Sequence, residues 1–184
     1  LLANIAAVNP KDGTTRRAAQ FFDEHKIKDA MLLADVQRAV RGSSDVILFN
    51  IDAKADSKDD RDVILQVFLR VFNEKLGYSG DAPHVAEMER HLVSKDAYDS
   101  FKAAFADKNG STWDAERDAV DFLRDDVVYA LAKALKQSED SAAAWFDNAR
   151  ETYRINIEGL ARLIRDYLST KPAGHRIVFL VDEV

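Results

Sequence analysis

Two short apolar runs, far apart in the chain, constrain its fold more than any other feature. The first is Asp45-Val46-Ile47-Leu48-Phe49-Asn50-Ile51-Asp52; the second is Ile177-Val178-Phe179-Leu180-Val181, within the segment Arg176 to Val184. Each is continuously apolar, rich in β-branched residues and bounded by polar ones, the pattern of a strand buried on both faces of a parallel sheet. A lone strand leaves its N–H and C=O groups unpaired, so these runs must pair with each other or with strands outside the chain. The expectation is therefore a piece of a larger protein, with both ends as cut points rather than natural termini.

Everything from about Asp60 to about Thr170 reads as helix. Asp62 to Leu76 carries Val63, Val67, Leu69, Val71, Phe72 and Leu76 before Gly77 ends it. Pro83 suits a first helical turn, opening a segment to about Leu92. Ala97 to Ala106 spaces Tyr98, Phe101 and Phe105 helically, and Asn109-Gly110 stops it. Trp113 to Lys136 is expected to be one long helix, with Val120, Leu123, Val127, Val128, Leu131 and Leu135 on a broad stripe. Ser138 is placed to cap the next helix and Asn156 the last, which Pro172 and Gly174 break. Ahead of this stretch, residues 1–8 read as a helix end or a short strand, followed by the turn Asn9-Pro10-Lys11-Asp12-Gly13. Thr14 or Thr15 is then expected to cap a helix through Phe22, and a further helix runs through Met31 to Val40 and ends near Gly42. The fold class that results is mainly α with a few buried, parallel-type strands.

Composition removes several function classes. A 184-residue chain with 47% hydrophobic and 32% charged residues is that of a globular domain and not of a disordered one. A net charge of -6 argues against a basic nucleic-acid binder as a whole. The absence of cysteine removes disulfides, thiolate metal sites and cysteine nucleophiles, and suits a reducing cytoplasm. No apolar stretch approaches the roughly 20 residues that a membrane helix needs.

The second run ends in Asp182-Glu183, and an apolar strand followed by Asp-Glu is the Walker B pattern of P-loop ATPases. A buried strand is rigid, and its C-terminal end faces the crevice where α/β proteins bind ligands. Asp182 there can hold Mg²⁺, a hard cation that prefers oxygen. Glu183 can orient or deprotonate the water that attacks the γ-phosphate of ATP. The chain contains no Gly-x-x-x-x-Gly-Lys-Ser/Thr, so the phosphate loop is expected upstream of Leu1 and the isolated chain is expected to be inactive. Elsewhere, the acidic and basic run Asp52 to Asp60 lacks the Gly and final Glu of an EF-hand and reads as a solvated loop with Ser57 as a cap. His84, Glu87 and His91 share a helical face, which admits a zinc reading, although surface neighbours fall together this way by chance. His25 and His175 have no partner recognisable from sequence. Arg16, Arg17, Lys26, Lys28, Arg38 and Arg41 admit phosphate-backbone contacts, but interspersed acids favour an ordinary mixed face. Trp113, Trp145, Phe146, Phe101 and Phe105 read as core anchors.

Four segments together resemble a known family. Phe21-Phe22-Asp23 with Lys28 to Val36, then Asp45 to Asp52, then Gly174-His175-Arg176 through Val184 resemble the P-loop protein of BREX phage-defence systems, the BrxC/PglY family. The resemblance implies a large bacterial ATPase acting with a DNA methyltransferase and other defence subunits on phage DNA. It also implies a P-loop module with a Walker B Asp and a catalytic Glu at Asp182 and Glu183. On that reading residues 1–184 are part of one α/β P-loop NTPase domain, 60–170 is a helical insertion within it, and the parent binds ATP and Mg²⁺ in the cytoplasm. The resemblance does not define what the insertion does, and docking to another subunit or to DNA stays open. The competing readings are a non-enzymatic helical interaction module and a DNA-binding module. Apolar surface left by strands outside the chain predicts self-association.

Overall fold

The computed structural model describes residues 6–8, 15–17, 26–50 and 63–182. It is mainly helical, with a small open sheet of two parallel strands. The chain divides into two compact units, one made of residues 1–49 and 161–182 and the other essentially of residues 50–160.

In the strand-bearing unit, β1 (Ala6–Val8) pairs antiparallel with β2 (Thr15–Arg17), with Ala7 opposite Arg16. Thr15 to Arg17 is thus extended where a capped helix is expected from sequence: the hairpin pairs a β-branched Thr with Val8, and ladder bonds win over the local cap. Helix α1 (Ala30–Arg41) is capped by Asp29, whose carboxylate accepts from the N–H groups of Met31 and Leu32 at 2.9 and 3.1 Å. Gly42 ends it, as its position in sequence suggests. Strand β3 (Ser44–Asn50) lies beside β4 (Arg176–Asp182) in the parallel pair. The expectation of burial on both faces is met on one face of β3 only, and β4 has no fully buried residue. Ile47 and Phe49 are buried, whereas Leu48 is 64% exposed and Val178 and Leu180 are 38% and 37% exposed. Pairing β3 with β4 joins strand edges and covers neither face, so burial on both faces needs an element packed on each side, and the face that carries Ile47 and Phe49 is the covered one.

The second unit contains α2 (Val63–Leu76), α3 (Pro83–Ser94), α4 (Tyr98–Asn109), α5 (Trp113–Glu116), α6 (Arg124–Leu135) and α7 (Glu139–Thr152), and α8 (Ile157–Ser169) begins in it. Gly77 and Gly110, at φ +81° and +85°, end α2 and α4 in the left-handed conformation that glycine adopts without strain. Ser138 and Asn156 cap α7 and α8 as expected, accepting from the N–H groups of Ser141 and Gly159. The one long helix expected from Trp113 to Lys136 is instead broken. A 3₁₀ stretch, Arg117–Phe122, separates α5 from α6, and Ala119 leaves helical geometry at φ -96°, ψ 17°. Two features account for the break. Arg117 is drawn sideways to the Gly77 carbonyl at 2.6 Å, and Asp125 and Asp126 favour a fresh helix start at the positive end of α6.

The core of this unit is aromatic. The rings of Phe101 and Phe105 meet Trp113 edge to face at centroid distances of 5.0 and 5.2 Å, surrounded by buried Leu92, Val127 and Leu131. Glu89 sits fully buried on the apolar face of α3, between Val85, Met88 and Leu92. Its Oε1 accepts from the Tyr98 hydroxyl and the Trp113 indole N–H, both at 2.8 Å, and its Oε2 accepts from the Ser79 N–H at 2.7 Å. The Arg117 guanidinium approaches Oε1 at 3.5 Å. Burial first, and then the Glu89 charge, hold the Tyr98 phenol well above its usual pKa, so it remains a donor. A carboxylate offers about four acceptor sites, and here the surrounding donors use them in the way a buried charge requires. Glu89→Ala is expected to destabilise the chain by about 3–5 kcal/mol, because the donors stay buried without their acceptor. Urea unfolding checks this; a midpoint within error of the parent's would show that the hub is dispensable.

Candidate functional site

Asp182 ends β4 as an exposed residue, and Glu183 lies outside the described residues. The parallel strands start together, since the Arg176 N–H donates to the Ser43 carbonyl at 3.1 Å. Their C-terminal ends therefore share one edge, with Asp182 upon it. A single carboxylate fits the way Mg²⁺ is usually held, by one or two carboxylates with the remaining positions left to phosphates and water. Among the described residues no group of three or more His, Asp or Glu side chains is gathered to hold a metal by itself. His84, Glu87 and His91, which share a face of α3, are each engaged separately. His84 packs against Phe146, His91 lies 5.4 Å from the Trp145 ring, and Glu87 pairs with Arg90 at 3.0 Å. The expected acidic loop Asp52 to Asp60, Arg16 and Arg17 as side chains, and His25 lie outside what is described.

At the opposite edge of the strand pair, parallel pairing creates a polar cluster that sequence reading missed. His175 Nε2 is 3.0 Å from Asp45 Oδ2, and its Nδ1 is 2.8 Å from the Ser43 hydroxyl. The Tyr167 hydroxyl donates to the same Asp45 oxygen at 2.5 Å. An ionised carboxylate only accepts, so Asp45 fixes a proton on His175 Nε2. A neutral ring then leaves Nδ1 to accept from Ser43. The order Ser, His, Asp is that of a nucleophile, base and orienting group. Its position argues for a tie instead: it sits where the strands begin, whereas α/β ligands gather where strands end. Asp45 also shares its oxygen with Tyr167, so α8, β3 and the turn before β4 are fastened together. The sequence signal was available, because Asp45 and His175 each stand at or just before the start of an apolar run, but it becomes legible only once the runs are known to pair in parallel. His175→Ala is expected to speed amide exchange along Ile177 to Val181, by loss of about 1–3 kcal/mol of local stability, while α4 and α6 stay protected. Unchanged exchange in β4 would remove the tie.

A third cluster lies wholly in the helical unit. A cleft of about 230 Å³ is lined by Gln66 of α2, Pro83 and His84 at the start of α3, and Arg150, Tyr153 and Arg154 at and after the end of α7. Arg150 is paired with Asp121 at 2.9 Å. Arg154 donates to the Tyr153 carbonyl at 2.7 Å and has no carboxylate partner among the described residues. Burial first, and then the Arg150 charge, lower the His84 pKa from its usual 6.5, with Asp121 opposing. A histidine whose folded pKa lies below its unfolded one takes up its proton more readily when unfolded. Its contribution to stability is therefore full above the unfolded value and lost as pH falls through the folded one. His84→Asn should flatten the decline of the urea midpoint between neutral and mildly acidic pH. An unaltered pH profile would show that His84 is not a source of it.

No family model matches the chain, and no solved structure matches it significantly. Among the described residues no helix is long and apolar enough to cross a membrane.

Proposed function

We propose that the chain supplies the Walker B side of a P-loop ATPase of the kind found in BREX phage-defence systems, with the stretch 60–170 as a helical insertion. The observation that carries this reading is the parallel pairing of β3 with β4, which brings the C-terminal ends of two strands to one edge and leaves Asp182 exposed there. Parallel strands are the framework on which α/β proteins build ligand crevices, and the next residue in the chain is Glu183. The exposed apolar residues Leu48, Val178 and Leu180 give further support, because parallel sheets ordinarily work with both faces covered.

In this reading Asp182 holds Mg²⁺, which when bound would neutralise charge on the phosphates of ATP. Glu183 orients and deprotonates the attacking water, and the rigidity of β4 keeps the Asp182 carboxylate in place. The phosphate loop, absent from these 184 residues, comes from elsewhere in the polypeptide, so the chain alone turns over no ATP. Other defence subunits and DNA are the proposed partners, met through the helical insertion in the cytoplasm.

The test uses the full-length gene product. Glu183→Gln should lower ATP turnover by about 10²–10⁴-fold while leaving nucleotide binding intact. Asp182→Asn should weaken Mg²⁺-dependent nucleotide binding. Normal turnover in Glu183→Gln rejects the reading, as does the absence of a Gly-Lys-Ser/Thr loop after an apolar strand in the full-length sequence.

A further inference from the structure

We propose that the cleft between the start of α3 and the end of α7 binds a small phosphorylated molecule, with Arg154 and Arg150 on its phosphoryl group. The inference is independent of Asp182 and Glu183. In a chain of net charge -6, this recess concentrates two guanidinium groups beside a histidine. One acid, Asp121, meets Arg150. Arg154 spends one donor on a backbone carbonyl and, among the described residues, meets no carboxylate. A guanidinium has five donors in a planar fork that matches phosphate oxygens, so most of its capacity faces the recess and solvent.

The start of the 12-residue helix α3 also lines the recess, and the dipole of that helix favours negative charge at this end. The recess is also shaped for more than a bare ion. Its volume of about 230 Å³ leaves room beside a phosphoryl group for a ring-sized organic part, with Pro83, Tyr153 and Ile155 as apolar walls and the Gln66 amide for orientation. A nucleic-acid backbone would call for a basic stripe along a surface, and the recess is a single concave site.

The purified chain tests this by titration with AMP, and separately with inorganic phosphate, at constant ionic strength. Backbone amide NMR signals of Gln66, His84, Tyr153 and Arg154 are followed. Saturable shifts confined to these signals are expected, tighter for AMP than for phosphate. Arg154→Gln is expected to weaken AMP binding by roughly tenfold or more. Arg154 is exposed on a connecting segment, and the dispersion of the remaining signals reports that the variant is folded. Shifts that never saturate, or that persist unchanged in Arg154→Gln, overturn the proposal. A short DNA duplex that moves the same signals at lower concentration than AMP also overturns it, in favour of a nucleic-acid surface.

Discussion

Two strands that run the same way cannot be joined by a hairpin, and this constraint shapes the rest of the chain. β3 and β4 are neighbours in one sheet, so everything between them is a crossover. Here the crossover has become a helical unit with a core of its own. Keeping the pair in register falls to residues at its start: the Arg176 N–H on the Ser43 carbonyl, and His175 held between Ser43 and Asp45. A slip by one residue would carry Ile47 and Phe49 to the exposed face and Leu48 to the buried one. Register therefore decides which side chains are covered, and also which residue arrives at the far edge.

A crossover that is itself a compact unit has to be stable on its own terms. Its apolar core supplies most of the driving force, and Glu89 supplies the directionality. Trp113 and Tyr98 would pack in several orientations if they answered only to hydrophobic burial. Donating to one buried carboxylate oxygen fixes both rings. The Ser79 N–H brings the α2–α3 connection to the same group, and Arg117 brings the segment that follows α5. The break between α5 and α6 follows from this arrangement, since a straight helix through Arg117 would carry its guanidinium away from Gly77 and Glu89.

The helices were legible wherever local signals decide them. Pro83, Ser138, Asn156, Gly77 and Gly110 mark starts and stops through chemistry confined to a few neighbouring residues, and the structure uses each as its position suggests. The misreadings have the opposite character. Thr15 to Arg17 is extended because of a partner strand, and Arg117 to Phe122 departs from α-helix because of contacts far away in sequence. Polar residues at the strand ends followed the same division. Asp182 was visible because a strand and its terminal acid are contiguous. Asp45 and His175 were not, because 130 positions separate them. Glu89 left a trace that sequence reading passed over: a charged residue at the i+4 position from Val85 on an otherwise apolar helix face, which asks for buried donors.

The strand pair thus presents two polar ends with opposite physical characters. At the starting end, His175 has only 7% of its side chain exposed, and its ring nitrogens are occupied by Asp45 and Ser43. Those bonds tie the turn before β4 to the start of β3, and Tyr167 on Asp45 brings α8 to the same point, at the end of the strands where α/β ligands do not gather. At the other end, Asp182 is exposed at the last position of β4. Saturated hydrogen bonding suits a fastening, and an open carboxylate on a rigid element suits a ligand. That asymmetry is why the Ser43, His175 and Asp45 array is read as structure despite its resemblance to catalytic order, and why the functional proposal rests on the edge where the strands end.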